Sequence, residues 1–356
     1  TSAFRSFETS QTAYQLWDFK SDHYCVEIWD NYLELRFSTA FAYGELMKRY
    51  TARSGRMQPL PEWASGTILG VQGGKEKVEQ VLNAALKAGN PVTAIWIQDW
   101  VGRRLTGFGS QLWWRWLPDE TAYPNFRAWV QQLRARGVRV LGYINPFLAD
   151  EGPIFAEAKA KGYLVRKRDG EPYKIQTAGF PAYLVDLSNA EARTFLKNII
   201  RNNLIGNGLA GYMADFGEWL PWDAQLASGE SAAHWHNRYP VEWARLNREA
   251  IREAGLEREV VFFTRAGFAG SAEHSTLFWL GDQMVSFDEY DGLASAVTGL
   301  LTGGISGITL NHSDIGGYTT INNPVKNYHR SRELFLRWAE FAVFTPFFRT
   351  HEGNRP

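Results

Sequence analysis

A chain of 356 residues, 45% of them hydrophobic, is long enough for one large α/β barrel with an appendage. Its 38 Lys+Arg balance 38 Asp+Glu, which argues against a nucleic acid or an anionic membrane as the main partner. The single cysteine, Cys25, excludes a disulfide within the chain and a thiolate metal cluster, and no apolar run approaches the ~20 residues of a membrane helix.

Residues 1–40 alternate apolar and polar side chains (Tyr24, Val26, Ile28, then Leu33, Leu35, Phe37) around the turn residues Asp30 and Asn31. This pattern predicts antiparallel β structure, part of an N-terminal sandwich, with Cys25 as a buried structural thiol. Residues 41–61 read as a short helix to about 55 and then a linker.

From 62 to 356 the rhythm is strand, loop, helix, repeated. Strands are expected at 67–72, 92–99, 138–145, 210–215, 259–265, 276–282, 306–314 and 344–351. The first helix carries Val78, Val81, Leu82, Ala85 and Leu86 on one face and closes at Gly89. The second carries Phe126, Trp129, Val130 and Leu133 and closes at Gly137. Residues 146–182 read as an irregular insertion. Ser188 and Glu191 have capping-box spacing ahead of a helix at 189–203, and Pro240 and Gly255 bracket the next one. Small-residue and mixed helices follow at 291–303 and 328–342. Eight such units predict a (β/α)₈ TIM barrel of class α/β, preceded by part of a β-sandwich and lacking its last helix. A start on Thr1 and a stop five residues after His351 read as an excerpt whose C-terminal part is missing.

In a barrel of this kind, polar residues at the C-terminal strand ends form the site. Those ends carry Gln72, Gln98, Asp99, Asn145, Asp215, Arg265, Asp282, Asp314 and His351. Any one acid there ordinarily caps a following helix, but several acids, an arginine and a histidine converging on one rim do not build a core. The stretch Gly211-Tyr212-Met213-Ala214 is an apolar strand that stops on Asp215, and Trp279-Leu280-Gly281 stops the same way on Asp282. Burying an unpaired carboxylate costs several kcal/mol, so a strand ending on one usually opens into a site.

Several carboxylates without a cofactor motif suit cleavage of an acetal, where one ionised acid attacks and a protonated partner donates to the leaving oxygen. Asp215 beside Arg265 would stay ionised, and Asp282 near other acids would hold its proton. Retention requires the pair to face each other about 5–6 Å apart. Trp96, Trp100, Trp113, Trp114, Trp116, Trp219 and Trp222 sit in segments with polar groups, as sugar-stacking faces do. His234 and His236, and His312 with Asp314, lack the helical spacing of zinc ligands. No cofactor or metal is expected, the partner is a small sugar glycoside, self-association is permitted, and a cytoplasmic location is the working expectation.

The ordered motifs GVQGG, IWIQDW, GYMADFGEWLP, HSDIGGYTT and RTHEGNRP resemble glycoside hydrolase family 31, the retaining α-glucosidase and α-xylosidase family, over residues 40–356. The resemblance implies Asp215 as nucleophile and Asp282 as acid/base. It implies Arg265 and His351 as sugar-hydroxyl binders and Asp314 as a further site acid, with Asp99 among the substrate contacts. Within the family the motifs are most similar to the group acting on α-sulfoquinovosides such as sulfoquinovosyl glycerol, where two glutamines, an arginine, a tryptophan and a tyrosine surround the sulfonate. Gln72, Gln98, Trp114 and Tyr318 match; Gln111 stands where the arginine belongs. Arg104 or Arg115 is then expected to supply the charge. The alternative is an α-glucosidase or α-transglucosylase of the same family acting on a neutral α-glucoside.

Overall fold

The structure is a computed structural model that describes residues 4–9, 15–29, 31–106, 109–177, 179–322 and 327–354. Eight short strands form one sheet: β1 (Thr67–Gly70), β2 (Val92–Trp96), β3 (Arg139–Ile144), β4 (Gly211–Ala214), β5 (Val261–Thr264), β6 (Leu277–Trp279), β7 (Asn311–His312) and β8 (Phe348–Arg349). Their spatial order is β7-β6-β5-β4-β3-β2-β1-β8, and every pairing is parallel. The two edges meet at a parallel bridge between Ile315 and Thr350, where the Ile315 N–H donates to the Arg349 carbonyl at 3.2 Å. That contact closes the sheet into the expected TIM barrel.

Parallel strands covered on both faces read as continuous apolar runs. Accordingly, all four residues of β4 and all four of β5 are buried. The surrounding helices turn apolar stripes inward: Val78 and Leu82 on Lys75–Lys87, Phe126, Trp129, Val130 and Leu133 on Phe126–Ala135, and Leu246, Ala250 and Ile251 on Tyr239–Glu253.

Several local expectations change. Leu293–Ile305 runs past its expected stop, and Ser306 with Gly307 (φ +96°) then turns the chain, leaving only Asn311–His312 in β7. Residues before β8 also turn first, Thr345 N–H donating to the Ala342 carbonyl at 2.9 Å. The helix at Ala190–Ile199 is capped by Asn189, whose side chain accepts from the N–H groups of Glu191 and Ala192. Ser188 instead donates to Asp186 at 2.6 Å, so the Ser188–Glu191 box does not form. The region expected to be irregular holds a helix, Gly152–Ala160, and a three-stranded antiparallel sheet of Phe147–Ala149, Pro181–Leu184 and Lys174–Gln176. The long loop after β2 contains a hairpin, Arg103–Thr106 with Gly109–Leu112.

Ahead of the barrel, Gln15–Phe19 pairs antiparallel with Tyr24–Ile28, and Phe4–Thr9 with Leu35–Ala40. The turn between paired strands is therefore at residues 20–23, not at Asp30-Asn31; Asp30 itself lies outside the described residues. Cys25 is exposed, against expectation, because its strand pairs in a thin two-stranded ribbon with mostly exposed side chains. The helix Tyr43–Ser54 follows and ties to the barrel through Tyr43 Oη, which donates to the Ile305 carbonyl at 2.8 Å.

Candidate active site

A cavity of about 610 Å³ opens at the C-terminal mouth of the barrel. Asp215 enters it from the end of β4. The Phe216 backbone at φ +60° and Gly217 at φ +112° turn the chain sharply behind it, and Trp243 Nε1 donates to the Asp215 carbonyl at 3.2 Å. A bulky residue in the left-handed region is strained, and such strain persists where surrounding structure over-determines it. Both of its carboxylate oxygens are held in place. Tyr143 Oη donates to Oδ2 at 2.6 Å, the Phe216 N–H donates to Oδ1 at 2.8 Å, and Arg265 Nη1 lies 3.3 Å from Oδ1. Asn145, at the end of β3, donates to the Tyr143 hydroxyl at 3.0 Å and so fixes the direction of the Tyr143 hydrogen bond. Burial and the Asp215 charge hold Tyr143 protonated well above its ordinary range.

Arg265 Nη1 also lies 3.7 Å from Asp282 Oδ2. One guanidinium nitrogen therefore touches both acids, and the two oxygens it touches are no more than about 7 Å apart. Arg265 is anchored from behind by Glu218, which accepts from Nε at 3.0 Å and from Nη2. Burial works against the Arg265 charge, but Asp215, Glu218 and Asp282 outweigh it and keep the side chain protonated.

Asp282 differs from Asp215 in its surroundings. Burial, then the negative charge of Asp215, push its carboxyl up to about 7, against a smaller opposing effect from Arg265. Its side chain is 46% exposed, yet the space it faces is the cavity, so an open surface coexists with poor solvation. An acid raised in this way, facing a second carboxylate in one recess, is the arrangement that general acid catalysis beside a nucleophile needs.

The walls divide by chemistry. Trp114, Phe180, Phe216 and Trp219 form an aromatic cluster, with Trp114 and Phe180 ring centres 4.7 Å apart and Phe216 and Trp219 5.6 Å apart. Gln72 and Gln98 line another part and are joined by a 2.9 Å hydrogen bond from Gln72 Nε2 to Gln98 Oε1. Gln111 and Tyr318 line it as well.

Asp99, Asp314 and His351 stand behind the lining. Asp99 accepts from the Gly73 N–H at 2.9 Å and from Tyr123 Oη, and pairs with Arg103 at 3.0 Å. Asp314 is wholly buried against Arg349, whose Nε donates to His312 Nε2 at 3.0 Å. His351 packs edge-on to Trp96 and Tyr318, and its Nδ1 accepts from the Gly353 N–H at 2.8 Å. Burial drives His312 and His351 well below their ordinary range, so both are neutral.

Neither arginine expected to stand in at the Gln111 position lines the cavity. Arg104 stacks on Phe180 and Trp113, 3.6 and 4.5 Å from the ring centres, and pairs with Glu151; Arg115 pairs with Asp119 at 3.0 Å. Arg103, which the sequence reading passed over, lines it instead. Tyr143 was also missed, lying within an apolar run that reads as core, although it sits one residue from the end of β3. Of the tryptophans, Trp114 and Trp219 line the cavity, whereas Trp96, Trp100 and Trp116 belong to the core and Trp222 is half-exposed.

The sequence profile of the glycosyl hydrolases family 31 TIM-barrel domain matches residues 57–356. The chain belongs to that family. It is 42% identical over 347 residues to the sulfoquinovosidase of Escherichia coli (strain K12), covering 97% of this chain and 51% of the relative. It is 40% identical over 352 residues to the sulfoquinovosidase of Agrobacterium fabrum (strain C58), covering 98% and 52%. Among solved structures, a family 31 sulfoquinovosidase from E. rectale in complex with the aza-sugar inhibitor IFGSQ superposes with a TM-score of 0.95 at 44% identity, covering 99% of this chain and 53% of that one. The chain thus spans about half the length of these relatives. No helix among the described residues is long and apolar enough to cross a membrane.

Proposed function

We propose that this barrel forms the catalytic centre of a retaining α-glycosidase that cleaves α-sulfoquinovosides. The observation that carries the reading is the single guanidinium nitrogen of Arg265 in contact with both Asp215 and Asp282, with the latter pushed up to about 7. In the first step Asp215 attacks the anomeric carbon while Asp282 gives its proton to the departing oxygen. In the second, Asp282 takes a proton from water, which attacks the same carbon and releases Asp215. The hydrogen bonds from Tyr143 and Phe216 and the contact with Arg265 hold the Asp215 carboxylate in place for attack. As the bond to sugar forms, the Asp215 charge is consumed, and Asp282 becomes easier to ionise just when it must lose its proton.

Gln72, Gln98, Gln111, Trp114 and Tyr318 are assigned to the sugar and its C6 substituent, with Asp99, Asp314 and His351 holding the wall behind them. The sulfoquinovosidase relatives support the sulfonated sugar. A neutral α-glucoside is favoured by one observation, the uncharged Gln111 on the cavity wall. Rates on the nitrophenyl α-glycosides of sulfoquinovose and glucose, with wild type beside Gln111→Arg in the full-length protein, decide between them. The reading expects wild type to prefer the sulfonated glycoside and Gln111→Arg to sharpen that preference. A strong preference for the glucoside would overturn it.

A further inference from the structure

Among the described residues, two arginines line the cavity, Arg265 and Arg103. Arg265 is committed to Asp215, Glu218 and Asp282. Arg103 is not spent in this way. Its Nε lies 3.0 Å from Asp99 Oδ2, and Asp99 is buried and held by the Gly73 N–H and Tyr123 Oη. The guanidinium is thus oriented from one edge by a fixed carboxylate. Its Nη atoms have no acceptor among the described residues, and the side chain is 31% exposed.

The place of this fork matters. A Cβ added to Gly73 would come 3.2 Å from Arg103 Nη2, so the guanidinium rests against the backbone directly after Gln72. Asp99 directly follows Gln98, and Gln72 and Gln98 are hydrogen-bonded to each other. One end of the cavity therefore gathers two amides and a cation whose Nη donors are free. Arg104, its neighbour, does not line the cavity: Nη1 is bound to Glu151 at 2.8 Å, the head stacks on Phe180 and Trp113, and Nε and Nη2 are buried without a hydrogen-bond partner among the described residues.

We infer that Arg103 is the specificity-determining cation of the cavity, holding an anionic substituent of the sugar beside Gln72 and Gln98. This rests on the sulfoquinovoside reading and adds to it the residue that supplies the charge. A sulfonate stays ionised at physiological pH and offers three acceptor oxygens, and charge-assisted bonds from a planar guanidinium are about twice as strong as neutral ones. The buried Asp99 carboxylate keeps the fork from swinging out, so little side-chain freedom is lost on binding.

The test measures the ratio of kcat/KM for the nitrophenyl α-glycosides of sulfoquinovose and glucose in full-length wild type, Arg103→Gln, Arg103→Lys and Arg103→Gln/Gln111→Arg. Arg103→Gln is expected to lower that ratio by about tenfold to a hundredfold, mainly through KM for the sulfonated glycoside. Arg103→Lys lowers it less, and the double variant regains much of the loss. A ratio unchanged in Arg103→Gln, with wild type still preferring the sulfonated glycoside, overturns this inference while leaving the substrate reading standing. Wild type preferring the glucoside overturns both. Should Arg103→Gln fail to fold, Arg103→Lys carries the test, an unchanged ratio again counting against Arg103.

Discussion

At the scale of single residues, the proposed function turns on the difference between two aspartates. Asp215 meets one hydroxyl, one backbone N–H and one guanidinium, which fix the direction of its carboxylate. Asp282 meets the same guanidinium at longer range while facing the negative charge of Asp215. An acid raised to about 7 is half protonated at that pH and loses its proton above it, so kcat/KM is expected to fall about tenfold per pH unit once pH passes about 7, read from a pH–rate profile. Asp282→Asn is expected to lose that limb and about a hundredfold to ten-thousandfold in rate on poor leaving groups, less on nitrophenyl glycosides that depart unaided. Stability responds over a lower pH window. Asp282 in the folded protein keeps its proton over a range where the unfolded chain has released it, so folding stability falls as pH rises from about 4 to about 7 and is flat above. The Tm of Asp282→Asn is therefore expected to gain on wild type across that window in calorimetric scans, and a constant difference would contradict the assigned raised acid. Tyr143→Phe removes one charge-assisted hydrogen bond, worth about 1.5–3 kcal/mol, and is expected to slow the first chemical step by about tenfold to a hundredfold in pre-steady-state kinetics.

At the scale of elements, each strand delivers a side chain because its end is fixed by its neighbours. β4 is pinned between β3 and β5 with Gly211 opposite both Leu141 and Val261. A Cβ at Gly211 would lie 2.5 Å from the Val261 carbonyl oxygen, and one at Gly70 would lie 2.2 Å from the Thr350 carbonyl oxygen, where β1 meets the end of β8. Gly70→Ala and Gly211→Ala are each expected to destabilise by about 1–3 kcal/mol in denaturant titration, because backbone rather than a flexible side chain must give way. The strands themselves are legible in the sequence, since buried parallel strands leave continuous apolar runs. Their lengths are less legible: β7 and β8 shrink to two residues because turns at Gly307 and Thr345, which look like strand in a hydrophobic pattern, take the chain first. The cap at Asn189 wins over Ser188 because Asp186, two residues earlier, accepts from both the Ser188 hydroxyl and its N–H and draws Ser188 away from the helix.

At the scale of the whole molecule, closing the barrel brings residues from position 72 to position 354 around one cavity. Strand ends name Gln72, Gln98, Asp215, Arg265 and Asp282 on that wall, since so many polar residues closing apolar runs at one rim exceed what helix capping accounts for. Asp99, Asp314 and His351 sit at the same ends but point into the supporting layer, a difference in side-chain direction that one-dimensional spacing leaves open. Arg103 and Phe180 reach the wall from segments between strands, where the approach to the mouth is set by packing of the hairpin and the small antiparallel sheet. The central claim is that Asp215 bonds to the sugar, and it is tested by trapping the full-length protein with a fluorinated α-sulfoquinovosyl donor and mapping the adduct by peptide mass spectrometry. The account predicts one glycosyl group on the peptide carrying Asp215, absent in Asp215→Asn. An adduct on another residue, or release of the inverted sugar with no adduct, would contradict it.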